Sequence, residues 1–360
     1  MPAPYDAARA CRVDLDALPA FLIDNDPGAP VHLARHGQAA LGAALTTARH
    51  AASQVANDAE SLAALRGYLA AWRRGHLGVG LSSAQPAQPA QPAQPAQPAQ
   101  NQASNLNDAP TLTLLSANDL LWTLPSFDAS HRPRLEQLLA ANRAALEARP
   151  HWVIDVRRNS GGSDDTYEPL LAWLMCNEWV SVGTEFLATP ANIAAHERLR
   201  DLIALDDLHS RALLQRLAAS LRAAPMGTYV RLEEERDGFV WRQPAPVTFR
   251  RPRRVAVLID HPCGSSGEQF LLDLRQSRNV KLLGRPTAGV LDYSNVRPHP
   301  HPLPSGVHVL WCASSRSLRL PGCPIDGVGV APDVFLPPPR NAAESDAEIL
   351  TSQRFLDSGK

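Results

Sequence analysis

Three short stretches set reactive side chains among glycines. Residues 262–268 read PCGSSGE directly after the apolar run RRVAVLID, so Ser265 and Ser266 stand between Gly264 and Gly267 where a strand gives way to a helix. A serine at such a junction projects from the C-terminal edge of a sheet, beside the unpaired N–H groups of the next helix, which stabilise developing negative charge. The spacing is close to the GxSxG nucleophile turn without matching it, so a plain structural turn and an aimed nucleophile both stay open. Residues 155–162, DVRRNSGG, are the second stretch. A strand running into Gly161-Gly162 would expose successive backbone N–H groups as an oxyanion cradle, or would simply turn the chain into a helix. No GK[ST] follows, which argues against a phosphate loop. The third is RRGHLGVG, where His76 follows a helical stretch and opens a strand between glycines; it is either a solvated histidine or one that faces a cleft.

Taken together, these segments resemble the C-terminal processing (tail-specific) serine peptidase family, over most of the chain from about His76 to Pro337. DVRRNSGG resembles the family's D-[LV]-R-x-N-x-G-G segment through Asp155, Arg157, Asn159, Gly161 and Gly162. SSGE resembles its S-[AS]-x-E segment, which puts the nucleophile on Ser265 with Glu268 as the marker. LLGRPTAG resembles G-x-x-T-x-G through Gly284, Thr287 and Gly289, and IDGVGVAPDVFLP is similar to the closing [ED]-G-x-G-V-x-P-D motif. One branch of the family uses a Ser-Lys dyad with the lysine directly after G-x-x-T-x-G. Val290 stands there instead, and the chain's lysines are Lys281 and Lys360 alone. A valine cannot accept a proton, so the likeness falls to the histidine-using branch, which includes the tricorn core protease and the retinoid-binding repeats of the retina.

That resemblance implies an α/β fold with a ClpP/crotonase-like β-β-α spiral core and a small helical N-terminal region. It implies a serine peptidase in which His76 is the general base for Ser265, Asp326 orients the catalytic network, and the N–H groups of Ser266 and of Gly161 or Gly162 hold the oxyanion. The reaction would be acyl transfer to water through a Ser265 ester, with a peptide or protein substrate and neither cofactor nor metal. The serine partner that often precedes the histidine is replaced by Gly75, and no PDZ domain is evident before the core. Two other readings stand beside the peptidase: a non-catalytic ligand-binding homologue that keeps the fold, and an acyl-CoA enzyme of crotonase-like fold.

These residues need elements to position them. Residues 1–75 are rich in alanine and leucine at helical spacing, with Asn57 or Asp58 as a cap, and read as a helical N-terminal region. Residues 76–110 read as a strand followed by a linker whose AQP repeat, 84–100, is extended or disordered because proline recurs at every third position. Residues 111–340 read as the catalytic α/β core, with a helical insertion near 190–224, and 341–360 as a C-terminal tail. Within the core, TLTLLSANDLLWTLPSF predicts two strands, RPRLEQLLAANRAALEAR a helix, HWVIDV a strand, and TYVRLEEERDGFVWRQPAPVTF a hairpin turning at Asp237-Gly238. Strands alternating with helices predict parallel pairing.

The totals exclude other classes. In 360 residues, 44% are hydrophobic and 20% charged, a globular composition, and a formal net charge of -1 leaves no basic footprint for nucleic acid. No apolar run approaches a membrane span. Five scattered cysteines without a CxxC pair argue against a disulfide framework and a structural zinc site, and Cys263 reads as a buried small apolar residue. His299, His301 and His308 invite a metal reading, but without acid or cysteine companions they read as solvated loop histidines. The acidic N-terminal stretch lacks the features of a secretory signal, so the cytoplasm is the default expectation, with export if the true start lies upstream. Oligomeric state leaves no mark on the sequence.

Overall fold

The computed structural model describes residues 6–82, 109–205, 207–232, 240–245, 252–298 and 303–358. The AQP repeat, the turn expected at Asp237-Gly238, and His299 and His301 lie outside them. Among the described residues the helices are α1 (Ala7–Asn25), α2 (Ala29–Ala52), α3 (Asp58–Trp72), α4 (Arg132–Ala141), α5 (Arg143–Ala148), α6 (Asp164–Leu174), α7 (Pro190–Leu202), α8 (Leu208–Ala223), α9 (Ser266–Leu274) and α10 (Ala342–Asp357). The strands are β1 (Leu77–Leu81), β2 (Thr111–Leu114), β3 (Asp119–Thr123), β4 (His151–Asp155), β5 (Trp179–Val182), β6 (Thr184–Leu187), β7 (Tyr229–Val230) and β8 (Val240–Gln243). They continue with β9 (Arg254–Ile259), β10 (Val280–Gly284), β11 (Tyr293–Ser294), β12 (Arg297–Pro298), β13 (His308–Cys312), β14 (Ser315–Ser317) and β15 (Val334–Phe335). The fold is mixed α/β and divides into two compact units, each discontinuous in sequence. One unit takes residues up to 82, then 184–232 and 293–318; the other takes 109–183, 240–292 and 319–358.

The second unit is built on a six-stranded sheet in the order β15-β10-β9-β4-β3-β2, parallel from β15 to β3 with β2 antiparallel at the edge. Its inner strands β3, β4 and β9 are rich in apolar residues because both of their faces are buried. Alternation sends Leu120, Trp122, Trp152, Ile154, Val255, Val257, Ile259 and Leu282 to one core, shared with Tyr167, Leu170, Phe270 and Leu274 of α6 and α9. The intervening Leu121, Val153, Ala256, Leu258 and Leu283 face the other way and meet Leu356, Ile349 and Phe355 of α10. The segment taken from sequence as a tail thus carries a helix that covers one face of the sheet. In parallel pairing every strand's C-terminal end falls on the same edge, and Asp155 of β4, Leu258 of β9 and Leu283 of β10 come level there. The three glycine-bearing segments that follow these strands start from that one edge.

The first unit has α1, α2 and α3 packed through Cys11, Leu15, Leu18, Leu22, Leu41, Leu65, Tyr68, Leu69 and Trp72, with Val79 and Leu310 from strands below. The 11-15-18-22 spacing is one helical face. Asn57 caps α3 by accepting from Glu60 N at 3.0 Å, while Glu60 Oε2 accepts from Ala56 N at 2.8 Å. Strand β1 pairs antiparallel with β13, which also pairs with β12. A second sheet runs β11-β14-β6-β7, and α7 and α8 bury Ile193, Leu217 and Leu221 against Phe186. Of the hairpin expected across residues 228–249, the described residues show other pairings: β7 pairs with β6, whereas β8 pairs with β5. Local alternation identifies a strand but not its partner, and here both flanking strands have partners elsewhere.

Candidate active site

Ser265 sits in the turn between β9 and α9, as the residue that caps α9, with φ 56° and ψ -126°. A positive φ is costly for a residue with a Cβ and persists only where the surroundings hold it. They do so here through the backbone: Gly264 N donates to Asn159 O at 3.0 Å, Ala288 N donates to Cys263 O at 2.8 Å, and Ser265 O accepts from Glu268 N and Gln269 N. The β4 and β10 segments therefore clasp the serine turn from both sides. Cys263, behind it, is buried, and burial pushes its thiol well above the ordinary range, which makes it a packing residue.

The DVRRNSGG segment passes directly in front of Ser265. A Cβ on Gly161 would lie 2.6 Å from Ser265 Cβ and 3.1 Å from its Oγ, and Gly161 has φ 102°. Asn159 is fully buried; it donates to Leu124 O at 2.9 Å and accepts from Gly161 N at 2.9 Å. The Gly161 N–H, expected from the sequence as an oxyanion donor, is thus taken by Asn159 Oδ1, and Gly161's contribution is the space it leaves. The bridge to Phe127 uses Gly161 O and Ser163 N and leaves the Gly162 N–H outside it. Ser266, as first residue of α9, has an N–H without an intrahelical acceptor, and its Oγ donates to Gly162 O at 2.9 Å. Asp155 and Arg157 form a paired carboxylate and guanidinium, with Nη2–Oδ2 2.6 Å, and Arg157 Nη1 reaches Glu348 of α10 at 2.8 Å. Their work is to tie the sheet edge to the C-terminal helix.

Glu268 is fully buried and acts as a clamp. Its Oε1 accepts from Thr287 Oγ1 and from Gly289 N at 2.7 Å, and its Oε2 accepts from Val290 N at 2.9 Å. Thr287 Oγ1 in turn accepts from Val330 N at 2.7 Å, which joins the TAG turn to the DGVGV segment. Asp326 lies in that segment, where its Oδ1 accepts from Leu291 N and Asp292 N, both at 2.6 Å. Asp292 returns the contact by accepting from Ile325 N at 2.6 Å and Asp326 N at 2.8 Å. Alongside runs an open cleft of about 630 Å³, lined by Asp260, His261, Arg285, Thr287, Ala288 and Val328.

Of the residues singled out in the sequence, His76 belongs to the other unit. It is half-buried, with φ 49°, and its Nδ1 hydrogen-bonds the Tyr293 carbonyl. A carbonyl only accepts, so Nδ1 carries the proton and the basic lone pair is on Nε2. Burial, reinforced by the Arg73 charge and opposed by the Tyr293 bond, pulls the imidazole down to about 4, below the ordinary value of about 6.5 expected from sequence. Tyr293 was missed because a main-chain carbonyl has no signature in a sequence. His308 departs from the solvated-loop reading: it is fully buried, with Nδ1 2.7 Å from Asp14 Oδ2 and Nε2 3.0 Å from Ser61 Oγ. Among the described residues no helix is long and apolar enough to cross a membrane.

Residues 121–336, more than half the chain, match the sequence profile of peptidase family S41. The chain belongs to that family. As an S41 peptidase it is a serine-type hydrolase whose substrate is a peptide or protein. Among solved structures, mature CPAF superposes with a TM-score of 0.63 and 12% identity over 98% of this chain and 96% of that one. A peptidase-like protein of Parabacteroides merdae superposes with a TM-score of 0.53 and 14% identity, over 96% of each chain. At these identities the likeness is one of fold. No individual curated protein sequence matches.

Proposed function

We propose that this S41 peptidase cleaves its substrate through an ester on Ser265, with His76 as general base. The observation that carries the reading is the strained Ser265 backbone at the mouth of α9, with Gly161 lying bare against its side chain. Serine is a weak nucleophile until a base takes its proton during attack. The Ser265 Oγ forms a bond to the substrate carbonyl carbon as its proton passes to His76 Nε2. The resulting imidazolium then protonates the leaving amine as the C–N bond breaks, and water repeats the sequence on the ester. The N–H groups of Gly162 and Ser266 hold the oxyanion; losing one such donor costs about 100- to 1000-fold in rate. Asp326 acts at one remove, by fixing the backbone of Leu291 and Asp292, which lead into Tyr293 and so to the carbonyl that sets the His76 tautomer. The parallel order β3-β4-β9-β10, with α6 and α9 between its strands, supports a ClpP/crotonase-like β-β-α spiral for the core.

The test is covalent labelling of the full chain with a fluorophosphonate. Wild-type protein is expected to label on Ser265, Ser265→Ala to remain blank, and His76→Ala to label at least about 100-fold more slowly. Equal labelling of all three would overturn both assignments.

A further inference from the structure

The base itself needs holding, and a buried ion pair of its own unit reaches its backbone. Arg73 is the residue that ends α3, and Asp26 closes α1; their side chains are 3% and 0% exposed. Asp26 has all its donors in place: Trp72 Nε1 at 2.8 Å, Gly28 N at 3.2 Å, and Arg73 Nε at 3.2 Å. That pair orients the guanidinium so that its remaining N–H groups reach forward along the chain. Nη1 donates to Gly75 O and Nη2 donates to His76 O at 3.1 Å. Gly75 and His76 are consecutive residues at positive φ, 68° and 49°, which a glycine takes freely and which carries a cost for a residue with a Cβ. The guanidinium holds both carbonyls of this pair, and it also lies over the Tyr293 ring at 5.3 Å, beside the carbonyl that accepts from His76 Nδ1.

We propose that Asp26 and Arg73 are positioning residues for the base: the Asp26-anchored fork of Arg73 fixes the His76 backbone, as the Tyr293 carbonyl fixes its ring. This rests on the assignment of His76 as the base. A planar fork is required, since two carbonyls on successive residues must be met at once while a third edge stays on the carboxylate. The pair also carries a charge effect, because the cation beside His76 disfavours the imidazolium.

The readout is the rate of fluorophosphonate labelling of Ser265 in the full chain, followed against pH. Wild type is expected to keep its rate down to an acid limb near pH 4. Arg73→Ala should label about 100-fold more slowly, the cost of a small misplacement of a catalytic group, with its acid limb moved up from the wild-type position by the lost repulsion alone, since burial still holds the imidazole down. Added methylguanidinium should restore a good part of that rate, which it cannot do for a variant that is merely unfolded. Arg73→Lys, which keeps the cation and loses the fork, should be slow with the wild-type acid limb and without rescue. A folded Arg73→Ala that labels at the wild-type rate, or a folded and slow Arg73→Ala that methylguanidinium leaves unchanged, overturns the positioning role. His76→Ala run in parallel separates the two claims: full labelling there sinks the base assignment, whereas slow His76→Ala beside fast Arg73→Ala sinks positioning alone.

Discussion

Gly161 tests the geometry around Ser265, the proposed nucleophile, more sharply than any change to Ser265 itself. A methyl group at that position would stand 2.6 Å from Ser265 Cβ, closer than two carbons can approach, on a backbone already at φ 102°. Gly161→Ala is therefore expected to lower fluorophosphonate labelling by about 100-fold or more with Ser265 still present, through displacement of the hydroxyl from the Gly162 and Ser266 N–H groups proposed to hold the oxyanion. A folded Gly161→Ala protein that labels at the wild-type rate would show that the two segments do not meet as described. The glycine and the serine were legible in the sequence because the turn tolerates only small residues there, and small residues at fixed spacing leave a pattern. The residues that hold His76 were not. Asp26 and Arg73 are 47 positions apart and Tyr293 contributes a carbonyl, so no local window joins them. The same blindness made His308 look solvated, since its partner Asp14 lies 294 positions away.

At the scale of elements, the serine turn, the TAG turn and the DGVGV segment are held together by one buried carboxylate. Glu268 meets three donors, Thr287 Oγ1, Gly289 N and Val290 N, and an amide in its place would keep one acceptor oxygen and turn an NH2 toward an N–H. Leaving a buried donor unmet costs about 1–3 kcal/mol, so Glu268→Gln is expected to lose about 2 kcal/mol in chemical denaturation and to slow labelling, although it touches no reacting atom. An unchanged denaturation midpoint would mean that the clamp is slack. Parallel strands and their helices were readable because apolar runs such as RVAVLI are what a sheet buried on both faces demands. Pairings were not. Residues 229–230 and 240–243 form strands, but with β6 and β5 as partners, and nothing in either short run specifies that choice. Helix α10 passed for a tail because its apolar residues are few and its charged face is broad, and only the sheet face it covers reveals its role.

For the whole molecule, the two units are set against each other in their response to pH. The unit with α1 holds His32, His76 and His196, pulled by burial down to about 4, about 4 and about 3. Unfolded, they titrate near 6.5, so between that value and 4 the unfolded chain binds more protons, and this unit's stability falls as pH falls through the window. The unit with the parallel sheet holds Asp273, buried and pushed up to about 7 by desolvation and by the nearby Asp164 charge. Its unfolded value is near 3.8, so here the folded state binds the extra proton, and stability is lost as pH rises through 7. Hydrogen exchange at pH 5 and pH 8, corrected for intrinsic rate, should therefore move in opposite directions. Amides of α1, α3 and α7 are expected to be less protected at pH 5, and those of α6 and α9 less protected at pH 8. Asp273→Asn should weaken the second change, leaving the part that comes from Asp164, which burial pushes up to about 6, and should leave the first intact. Protection that moves the same way in both sets of helices would show that the burial of these groups does not govern the response.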